Sequence, residues 1–567
     1  MAWSRRSIFV LFSVVFAAAV LRMNMKMLRP LSGRPSSVSI ARSNPDEFLS
    51  YGVSCDRVLA LQDSINGVVL CPNQGGFSEA ITIFNDRHAN KHLPSVVVQP
   101  LDVQGVSDAL KIATDLGIQV TVKNGGHNPA GLARHGGGML MDMSKMKSIE
   151  LKKDRMEMVV ESGVLWIEAQ EVIRDANITF VGGGCPSVGV VGLFLGGGIG
   201  WISRSKGLAS DNVIDMELVL ANGTIATVSE GNHPELFWGL RGAGGSNFGV
   251  VTRARFAVFR SEPRYFAGQV CFAVTDTGVL KKLMAAWMEG VEELEHDGPS
   301  AWMVVSRLAD LGSKRKRKFG FRFCIPLFHD GPEEEGATAA APLLNKLGAI
   351  VEKHPEVTCR HPNNAHCQSG IRRLTEGQAA REWLVSGRPF MQNHTFISWS
   401  QSMGIENVHI DWRSGFLEEV KSGFVDNAIE QLVHLPSFKG TKDIGAATFQ
   451  FQVEHLGGKI SEFRERGAYS HRGAHLLWSI QVFIQVAKMM PGASTSNTVE
   501  RWATQSFEKF EPYFKGSYAN YADPLLENKD WQHRYYGENY ERLQRLKESV
   551  GGFHIFNTRQ RIEKPAT

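Results

Sequence analysis

Two reactive side chains stand inside glycine-rich stretches in the first half of the chain. His127 lies in Lys-Asn-Gly-Gly-His-Asn (123–128), and Cys185 lies in Gly-Gly-Gly-Cys-Pro-Ser-Val-Gly (182–189). An imidazole and a thiol are both nucleophiles, although a single buried cysteine is more often a small apolar packing residue. Because both groups share the same unusual setting, the pattern indicates two nucleophiles directed at one electrophilic ring of a bound ligand.

Glycine is concentrated in four clusters, of which the other two are Leu195–Gly200 and Arg241–Gly249. The chain holds 57 glycines in 567 residues, about a tenth, whereas roughly 7% is usual. Glycines also mark turns and close packing, so one cluster would carry little weight. Four clusters within about 125 residues predict a large, flat, anionic ligand that lies along exposed backbone N–H groups.

Several common site motifs are missing from the sequence. We find no G-x-G-x-x-G, no G-x-x-x-x-G-K-[ST], no G-x-S-x-G and no H-E-x-x-H. Rossmann-type dinucleotide binding, phosphoryl transfer, serine hydrolysis and zinc proteolysis therefore lose their simplest support. The net charge of +4 (62 basic minus 58 acidic residues) excludes a nucleic-acid binder that works through bulk charge.

The elements that must position His127 follow an α/β pattern from Ser95 to Phe259. A short apolar strand at 95–99 precedes a helix with one apolar face from Val106 to Leu116. Gly117 is expected to end that helix, and the strand 119–123 leads directly into the His127 loop.

Further strands are predicted at 139–143, 156–161 and 250–259, and a helix at 164–175. Asn222-Gly223 between two apolar runs predicts a tight β-hairpin over 213–229.

After about Arg260 the pattern changes to that of an antiparallel α+β region. Strands are predicted at 301–308, 319–328, 395–400 and 476–483, and helices at 336–349 and 499–510. The basic run Lys314–Lys318 joins the first two strands, and we interpret it as a solvated hairpin tip rather than a localisation signal or an anion site. A single amphipathic helix is predicted over 531–547.

The N-terminus and the cysteines indicate a secretory route. Residues 1–22 carry Arg5 and Arg6, a 14-residue apolar run and a row of small alanines, which predicts a signal peptide or an uncleaved N-terminal anchor. Three N-glycosylation sequons begin at Asn177, Asn222 and Asn393. Seven cysteines leave one thiol over if the rest pair, and Cys185 is the candidate.

Cys359 and Cys367 enclose two histidines in Cys-Arg-His-Pro-Asn-Asn-Ala-His-Cys. This spacing matches no zinc module, so a disulfide that closes a surface loop is the preferred interpretation over a small metal site. We predict no metal in this protein.

The four glycine clusters and the C-terminal part together resemble one family. The segments 123–131, 184–200 and 241–252, with Tyr518-Ala-Asn-Tyr-Ala-Asp523 and Tyr536-Gly-Glu-Asn-Tyr540, are similar to the berberine-bridge-enzyme-like oxidoreductases of the vanillyl-alcohol oxidase superfamily. The resemblance covers nearly the whole chain after the leader. It implies an α+β fold in which a two-part FAD-binding domain carries an inserted substrate domain with an antiparallel sheet.

The resemblance also implies domain boundaries and a cofactor. The FAD-binding domain spans 45–261, with its core of the PCMH type at 93–261. The substrate domain spans 262–512, and residues 513–567 complete the FAD domain. FAD is expected to be covalently bound through His127 and Cys185. The expected cofactor-binding residues are Asn124, Gly125, Gly126, His127, Asn128, Gly184, Cys185, Val188, Gly189, Gly192, Gly196, Gly197, Gly198, Gly200, Gly249, Val251, Asn520 and Asn539.

The expected catalytic residues are Tyr521 and Gln481. Tyr521 matches the family's usual base, but a phenol with a pKa of about 10 needs either a lowered pKa or a proton relay. Gln481 has no acidic proton to exchange, so it is expected only to orient the substrate or a water molecule. Val188 matches a position at which valine accompanies reactivity with O₂, and Leu193 departs from the family by replacing a frequent histidine.

These observations favour a secreted FAD-linked oxidase that takes a hydride from a hydroxyl-bearing carbon of a sugar, an alcohol or a secondary metabolite. O₂ is then the electron acceptor and H₂O₂ the product. The alternatives are a dehydrogenase that passes electrons to an organic acceptor and a flavin-binding protein without turnover. The expected partners are a small-molecule substrate and O₂, with no nucleic acid, and with a membrane only if the N-terminal segment remains uncleaved.

Overall fold

Three large β-sheets and one two-stranded sheet (Ile178–Thr179 with Phe259–Arg260) organise the part of the chain that the computed structural model describes. That part comprises residues 55–89, 91–173, 176–185, 187–260, 265–308, 320–359, 408–421, 423–436, 444–486, 494–528, 530–556 and 559–565. The predicted signal segment, the basic run Lys314–Lys318, the strand at 395–400, the sequon at Asn393 and the Cys359–Cys367 pairing lie outside it.

The strands are β1 (Gly67–Leu70), β2 (Val96–Pro100), β3 (Val120–Lys123), β4 (Met139–Asp142), β5 (Ile149–Lys152), β6 (Glu157–Glu161), β7 (Ile178–Thr179), β8 (Val213–Val219), β9 (Ile225–Ser229), β10 (Val250–Ala257), β11 (Phe259–Arg260), β12 (Tyr265–Val274), β13 (Ser300–Leu308), β14 (Phe321–Pro332), β15 (Thr358–Cys359), β16 (Val408–Leu417), β17 (Ile444–His455) and β18 (Leu476–Val486).

The α-helices are α1 (Cys55–Leu59), α2 (Phe77–Ala80), α3 (Val103–Leu116), α4 (Trp166–Ile173), α5 (Val190–Leu195), α6 (Ser203–Lys206), α7 (Pro234–Leu240), α8 (Thr277–Glu292), α9 (Glu333–Glu352), α10 (Phe424–Val433), α11 (Lys459–Glu462), α12 (Ser494–Phe510), α13 (Trp531–Tyr536) and α14 (Tyr540–Ser549). Short 3₁₀ turns include Asp86–His88, Ala519–Tyr521 and Gly537–Asn539.

Sheet I has the strand order β1-β2-β4-β3 and presents the His127 loop. Strands β2, β4 and β3 run parallel, and β1 is antiparallel to β2. Helix α3 connects β2 with β3 and ends at Gly117, whose φ of 67° lies in the left-handed region that favours glycine. The predicted helix, its end and the strand before His127 are thereby confirmed.

Sheet II has the order β5-β6-β10-β8-β9 and is antiparallel throughout. The hairpin β8–β9 turns at Asn222-Gly223, as its sequence predicts, and Gly223 has a φ of 80°. The α/β pattern seen in the sequence is therefore limited to sheet I and helix α3, which packs between sheets I and II.

Sheet III is a seven-stranded antiparallel sheet with the order β15-β12-β14-β13-β17-β18-β16. Along its strands, side chains that face the core alternate with side chains that face the opposite side of the sheet. On β17, Phe449, Phe451 and Val453 pack into a large apolar core with helices α8, α9, α10 and α12, whereas the residues between them face the other way. One face of sheet III thus packs against the helices, and the other face is available to line a cavity.

The C-terminal segment returns to sheets I and II. Tyr535, Tyr536 and Leu543 share one apolar cluster with residues of β6, β8 and β10. The predicted single helix over 531–547 is wrong: it is two helices, α13 and α14, because Gly537 takes a φ of 49° at the break. The α+β class is confirmed, whereas sheets I to III lie within one compact unit (residues 48–567), so the domain boundaries stay predictions.

Two disulfides lie in the described part of the chain. Cys55 bonds Cys71 beside sheet I, and Cys271 bonds Cys324 across the neighbouring strands β12 and β14. Cys185 is present as a thiol, as the cysteine count predicted. Within the described ranges, no helix has the length and apolar character that crossing a membrane requires.

Candidate functional site

A cavity opens where the His127 loop, the Cys185 loop and the C-terminal segment meet. Its wall combines loop backbone with aromatic side chains from sheet III and the C-terminal segment. The predicted site residues that line it are Asn124, Gly125, Gly126, His127, Asn128, Gly184, Cys185, Val188, Gly189, Gly192, Asn520 and Tyr521. The fold therefore brings the His127 loop (123–128), the Cys185 loop (182–189) and Asn520-Tyr521 of the C-terminal segment together around one cavity.

Close backbone contact between the two loops explains part of the glycine content. A Cβ atom added to Gly189 would lie 2.6 Å from the backbone nitrogen of Gly125, and one added to Gly125 would lie 2.5 Å from that of Gly189. Real Cβ atoms do not approach backbone so closely, so glycine is required at both positions. This contact fixes His127 and Cys185 on adjacent loops.

His127 is held in a defined orientation. Its ring stacks on Phe84 with a centroid separation of 3.6 Å and an interplanar angle of 22°. Burial lowers the pKa of His127 to about 4, so the imidazole is uncharged near pH 7. Its buried Nε2 atom has no hydrogen-bond partner in the described chain. A neutral imidazole with an unused nitrogen in a cavity wall has the properties of a nucleophile.

Cys185 and Val188 follow in the second loop. Cys185 is a half-buried thiol in the cavity wall, and its carbonyl accepts a hydrogen bond from the Val188 N–H at 3.2 Å. The turn places both side chains at the same cavity.

The cavity wall fits the planar ring system and the phosphates of FAD. Gly184, Gly244 and Gly245 line it, and a Cβ atom added to any of them would meet no protein atom closer than 3.5 Å. Bare backbone in a cavity wall admits a flat ligand and presents N–H groups to phosphate. Together with the unpartnered nitrogen of His127, these residues form a cradle with the donor chemistry that FAD requires.

Seven of the predicted cofactor-binding residues do not belong to the cavity wall: Gly196, Gly197, Gly198, Gly200, Gly249, Val251 and Asn539. Side chains added to the first five would meet Asn520, Tyr469, Ala209 and the backbone of Gly182 and Val219, so packing accounts for these glycines. Val251 lies in the core strand β10, and Asn539 donates to the Ala468 carbonyl.

Tyr521 has a partner that the sequence analysis missed. Its hydroxyl donates a 3.0 Å hydrogen bond to Oε1 of Glu454, which also accepts a 2.8 Å bond from Gln452. The other carboxyl oxygen of Glu454 is buried and has no partner in the described chain. Glu454 lies on the face of β17 opposite to Phe451 and Val453, so the alternation of polar and apolar residues over 449–454 was the available signal.

The pKa values of the pair place the shared proton on the phenol and leave the carboxylate as its acceptor. Burial raises the pKa of Glu454 to about 7, against the opposing hydrogen bonds from Gln452 and Tyr521. Burial, and next the negative charge of Glu454, raises the pKa of Tyr521 well above 10. The Tyr521 phenol therefore cannot act as a base by itself. The Glu454 carboxylate is the group that can accept its proton.

Gln481 lies one strand away from this pair. It is buried on β18, accepts a 2.8 Å hydrogen bond from Gln450 and donates to Ser479 at 3.0 Å. It does not belong to the cavity wall, although Trp412, opposite it on β16, does.

Aromatic side chains that the sequence analysis did not single out complete the cavity. Trp412 lies 4.5 Å from Tyr521 between ring centroids, and Trp302 stacks on Trp201 at 3.8 Å. The hydroxyl of Tyr518 accepts hydrogen bonds from the backbone of Gly198 and Ile199, both at 3.1 Å. Tyr518 thereby ties the C-terminal segment to the third glycine cluster.

Two family models match the chain. A model described as FAD binding domain covers residues 94–229, and one described as berberine and berberine like covers residues 517–563. Among solved structures, berberine bridge enzyme from Eschscholzia californica has a TM-score of 0.67 at 20% identity, covering 91% of this chain and 100% of its own. The chain belongs to the berberine-bridge-enzyme-like FAD-linked oxidoreductases.

Relatives of this FAD-dependent oxidoreductase are named for several substrates. Xylooligosaccharide oxidase of Thermothelomyces thermophilus is 27% identical over 85% of this chain and 89% of its own length. Berberine bridge enzyme-like 18 of Arabidopsis thaliana is 26% identical over 93% and 94%. (R)-6-hydroxynicotine oxidase of Paenarthrobacter nicotinovorans is 33% identical, but the match spans only 44% of this chain and 53% of that enzyme.

Proposed function

We propose that this flavoprotein is a secreted oxidase that removes a hydride from a hydroxyl-bearing carbon of a neutral, polyhydroxylated substrate such as a saccharide. The observation that carries the proposal is the Tyr521–Glu454 pair at the FAD cavity. A partly buried phenol that is hydrogen-bonded to a buried carboxylate can remove a proton from an alcohol without a charged residue exposed to water.

The proposed proton path has two linked steps. The substrate hydroxyl donates its proton to the Tyr521 oxygen while the Tyr521 proton passes to Oε1 of Glu454, 3.0 Å away. Glu454 must be ionised at the start, which the pKa of about 7 allows near neutral pH. When bound, FAD supplies the hydride acceptor and returns the electrons to O₂, giving H₂O₂.

Covalent attachment of FAD is part of the proposal. His127 and Cys185 lie in adjacent loops of one cavity, the first as a neutral imidazole with an unused nitrogen and the second as a thiol. Tethering at both residues would prevent cofactor loss outside the cell. We expect peptides containing His127 and Cys185 to carry flavin in mass spectra of digested protein. A wild-type protein that releases all its yellow colour on denaturation and filtration would contradict attachment.

The substrate class follows from the side chains around Tyr521. Trp302 and Trp412 offer aromatic faces in the cavity wall, which suit the apolar faces of sugar rings. Gln481 and Gln450 lie outside the cavity wall, on the same face of sheet III as Glu454, and carry amides rather than charges, which supports a neutral substrate. Two full-length relatives, of which one is a carbohydrate oxidase of Microdochium nivale, are named for saccharides.

Secretion is supported by the oxidised cysteines. Disulfides persist in oxidising compartments, and two are formed here. The sequon residues Asn177 and Asn222 are both exposed, as glycosylation requires.

Anaerobic reduction of the holoprotein tests the proposed function. Xylooligosaccharides and cello-oligosaccharides are expected to bleach the flavin band, and air is expected to restore it with formation of H₂O₂. Tyr521→Phe should slow bleaching by at least about 100-fold, the scale of a lost general base, without loss of flavin. Reduced flavin that persists in air would favour the dehydrogenase alternative, and equal bleaching rates in both proteins would contradict the assigned proton path.

A further inference from the structure

A second cavity lies away from the FAD cavity, beyond the end of strand β17. We name it the Arg204 cleft. It has a volume of about 390 Å³ and is lined by residues of helix α6, the end of α8 and the ends of β16, β17 and β18. Arg204 and His455 are the buried basic residues in its wall, 4% and 7% exposed respectively.

Arg204 carries a buried charge with no carboxylate partner. Its Nη1 atom donates to His455 Nε2 at 2.8 Å and to the Leu456 carbonyl, and Nη2 donates to the carbonyls of Glu295 (2.7 Å) and His296 (3.3 Å). No carboxylate in the described ranges lies within ion-pair distance of Arg204, and its Nε–H has no acceptor there. The exposed Asp297 acts on Arg204 only from beyond ion-pair distance, and burying a cation without a carboxylate in contact is costly.

His455 adds a second unused donor. Because Nε2 accepts from Arg204, the neutral ring carries its proton on Nδ1, and this buried atom has no partner in the described chain. His455 follows Glu454 on β17, and successive residues of a strand point to opposite faces. The cleft is therefore separated from the Tyr521–Glu454 pair by the strand itself.

We propose that the Arg204 cleft binds an oxyanion, namely a carboxylate or a phosphate group of a small molecule. An oxyanion in the cleft would lie beside Arg204 and His455 and would neutralise the buried guanidinium, as an oxyanion does when arginine binds a carboxylate or a phosphate. The exposed side chains of Glu292, Glu418 and Glu419 in the rim disfavour a large polyanion and favour a ligand with one acidic group. This site is independent of the proposed oxidase activity.

Gly473 allows the cleft to be blocked without touching Arg204 or His455. It is exposed, it lines the cleft, and a Cβ atom added to it meets nothing within 4 Å. Gly473→Leu should therefore fold normally and fill part of the cleft. Gly231→Leu is the matched control, because Gly231 is equally open and lies elsewhere on the surface.

Titration calorimetry of the holoprotein with inorganic phosphate and with acetate, against chloride at equal ionic strength, tests the proposal. Saturable binding of phosphate, acetate or both is expected for wild type and Gly231→Leu, with at least a tenfold higher Kd for Gly473→Leu and for Arg204→Met. The response to the two probes distinguishes a phosphate site from a carboxylate site.

Two outcomes would overturn the proposal. The first is that neither anion binds more tightly than chloride, or that Gly473→Leu binds as wild type does. The second is that Zn²⁺ binds where the anions do not, which would assign the region to the exposed ligand group of His296, Asp297 and Glu462 instead. If Arg204→Met fails to fold, the anion Kd values of Gly473→Leu and Gly231→Leu still test whether the cleft is the binding site.

Discussion

At the scale of single residues, the proposed chemistry depends on a phenol and a carboxyl group that are hydrogen-bonded to each other. Burial raises the pKa of both Glu454 and Tyr521, and the hydrogen bond between them gives the phenol a proton acceptor. A tyrosine exposed to water would have neither property. The pair therefore replaces the lowered phenol pKa that a lone tyrosine base would need.

Replacing Glu454 by Gln should remove the proton acceptor while keeping the shape of the side chain. Because the pKa of Glu454 is raised to about 7, the carboxyl is protonated below that pH and cannot accept a proton. In wild type, kcat/KM is expected to rise as the pH increases through about 7. In Glu454→Gln it should fall by about 100-fold or more and lose this rise.

Steady-state pH profiles of wild type, Glu454→Gln and the control Glu289→Gln, an exposed carboxylate on α8, measure this effect. An unchanged profile in Glu454→Gln would show that another group takes the proton.

Val188 is expected to control access of O₂, as its position in the family suggests. It lines the cavity three residues after Cys185, where a larger side chain would fill part of the cavity. Val188→Leu should slow flavin reoxidation by at least about tenfold and leave anaerobic reduction by substrate within about twofold. Stopped-flow traces of both half-reactions separate the two effects. Slowing of both half-reactions equally would indicate a general distortion of the cavity.

At the scale of elements, the two glycine loops act as one unit because their backbones touch. Gly125 and Gly189 contact each other directly, and their loops carry His127 and Cys185. Strand β3 delivers the first loop and helix α5 follows the second, so the relative position of two reactive groups depends on one contact without side chains.

Gly189→Ala tests this contact. The new methyl group would lie 2.6 Å from the Gly125 nitrogen and 2.9 Å from Cβ of Asn124, so the loops must separate. We expect a several-fold loss of covalently bound flavin, measured as the ratio of absorbance at the flavin band to that at 280 nm in denatured protein. Gly231→Ala, which meets no atom within 4 Å, serves as control. Full flavin content in Gly189→Ala would show that the loops tolerate separation.

Sheet III illustrates how one strand serves two purposes. Phe449, Phe451 and Val453 of β17 face the helices, and Gln450 and Glu454 face the other way. A residue pattern of period two therefore holds the core on one face and supplies the proton acceptor on the other.

At the scale of the whole molecule, sheet III is fixed to the FAD-binding region by buried polar contacts. The amide nitrogen of Asn85 donates to the carbonyls of Pro129 and Ile410, and its oxygen accepts from the Ile410 N–H at 3.0 Å. Arg87 pairs with Asp411 at 2.8 Å and also with Glu500. The contacts with Ile410, Asp411 and Glu500 join residues more than 300 positions apart.

Arg87→Met should destabilise the protein by about 3 kcal/mol, the scale of breaking a buried ion pair, because Asp411 is 4% exposed and loses one of its cations. Lys281→Met breaks the exposed pair with Asp426, so its expected cost is below about 1 kcal/mol. Thermal unfolding of both variants as holoproteins measures the difference. Equal unfolding temperatures in the two variants would show that the contact between sheet III and the FAD-binding region does not depend on the Arg87–Asp411 pair.

Much of this molecule was predictable because the signals are local. The strand before His127, the helix ended by Gly117 and the hairpin at Asn222-Gly223 follow from side-chain periodicity and from glycine conformations within a few residues. The prediction of a single helix over 531–547 failed because Gly537 lies inside an otherwise helical pattern. Only the tertiary packing decides that Gly537 adopts a positive φ.

The sequence by itself determined the family, the glycine loops with His127 and Cys185, and Tyr521 as a candidate base. Tertiary structure alone decided which glycines face the cavity and which ones pack against Asn520, Tyr469 or Ala209. It alone placed Glu454 against Tyr521, 67 residues later, and left Gln481 one strand away. The reason is physical: burial and proximity set the pKa of a carboxyl group, and both arise only when separate strands and loops meet.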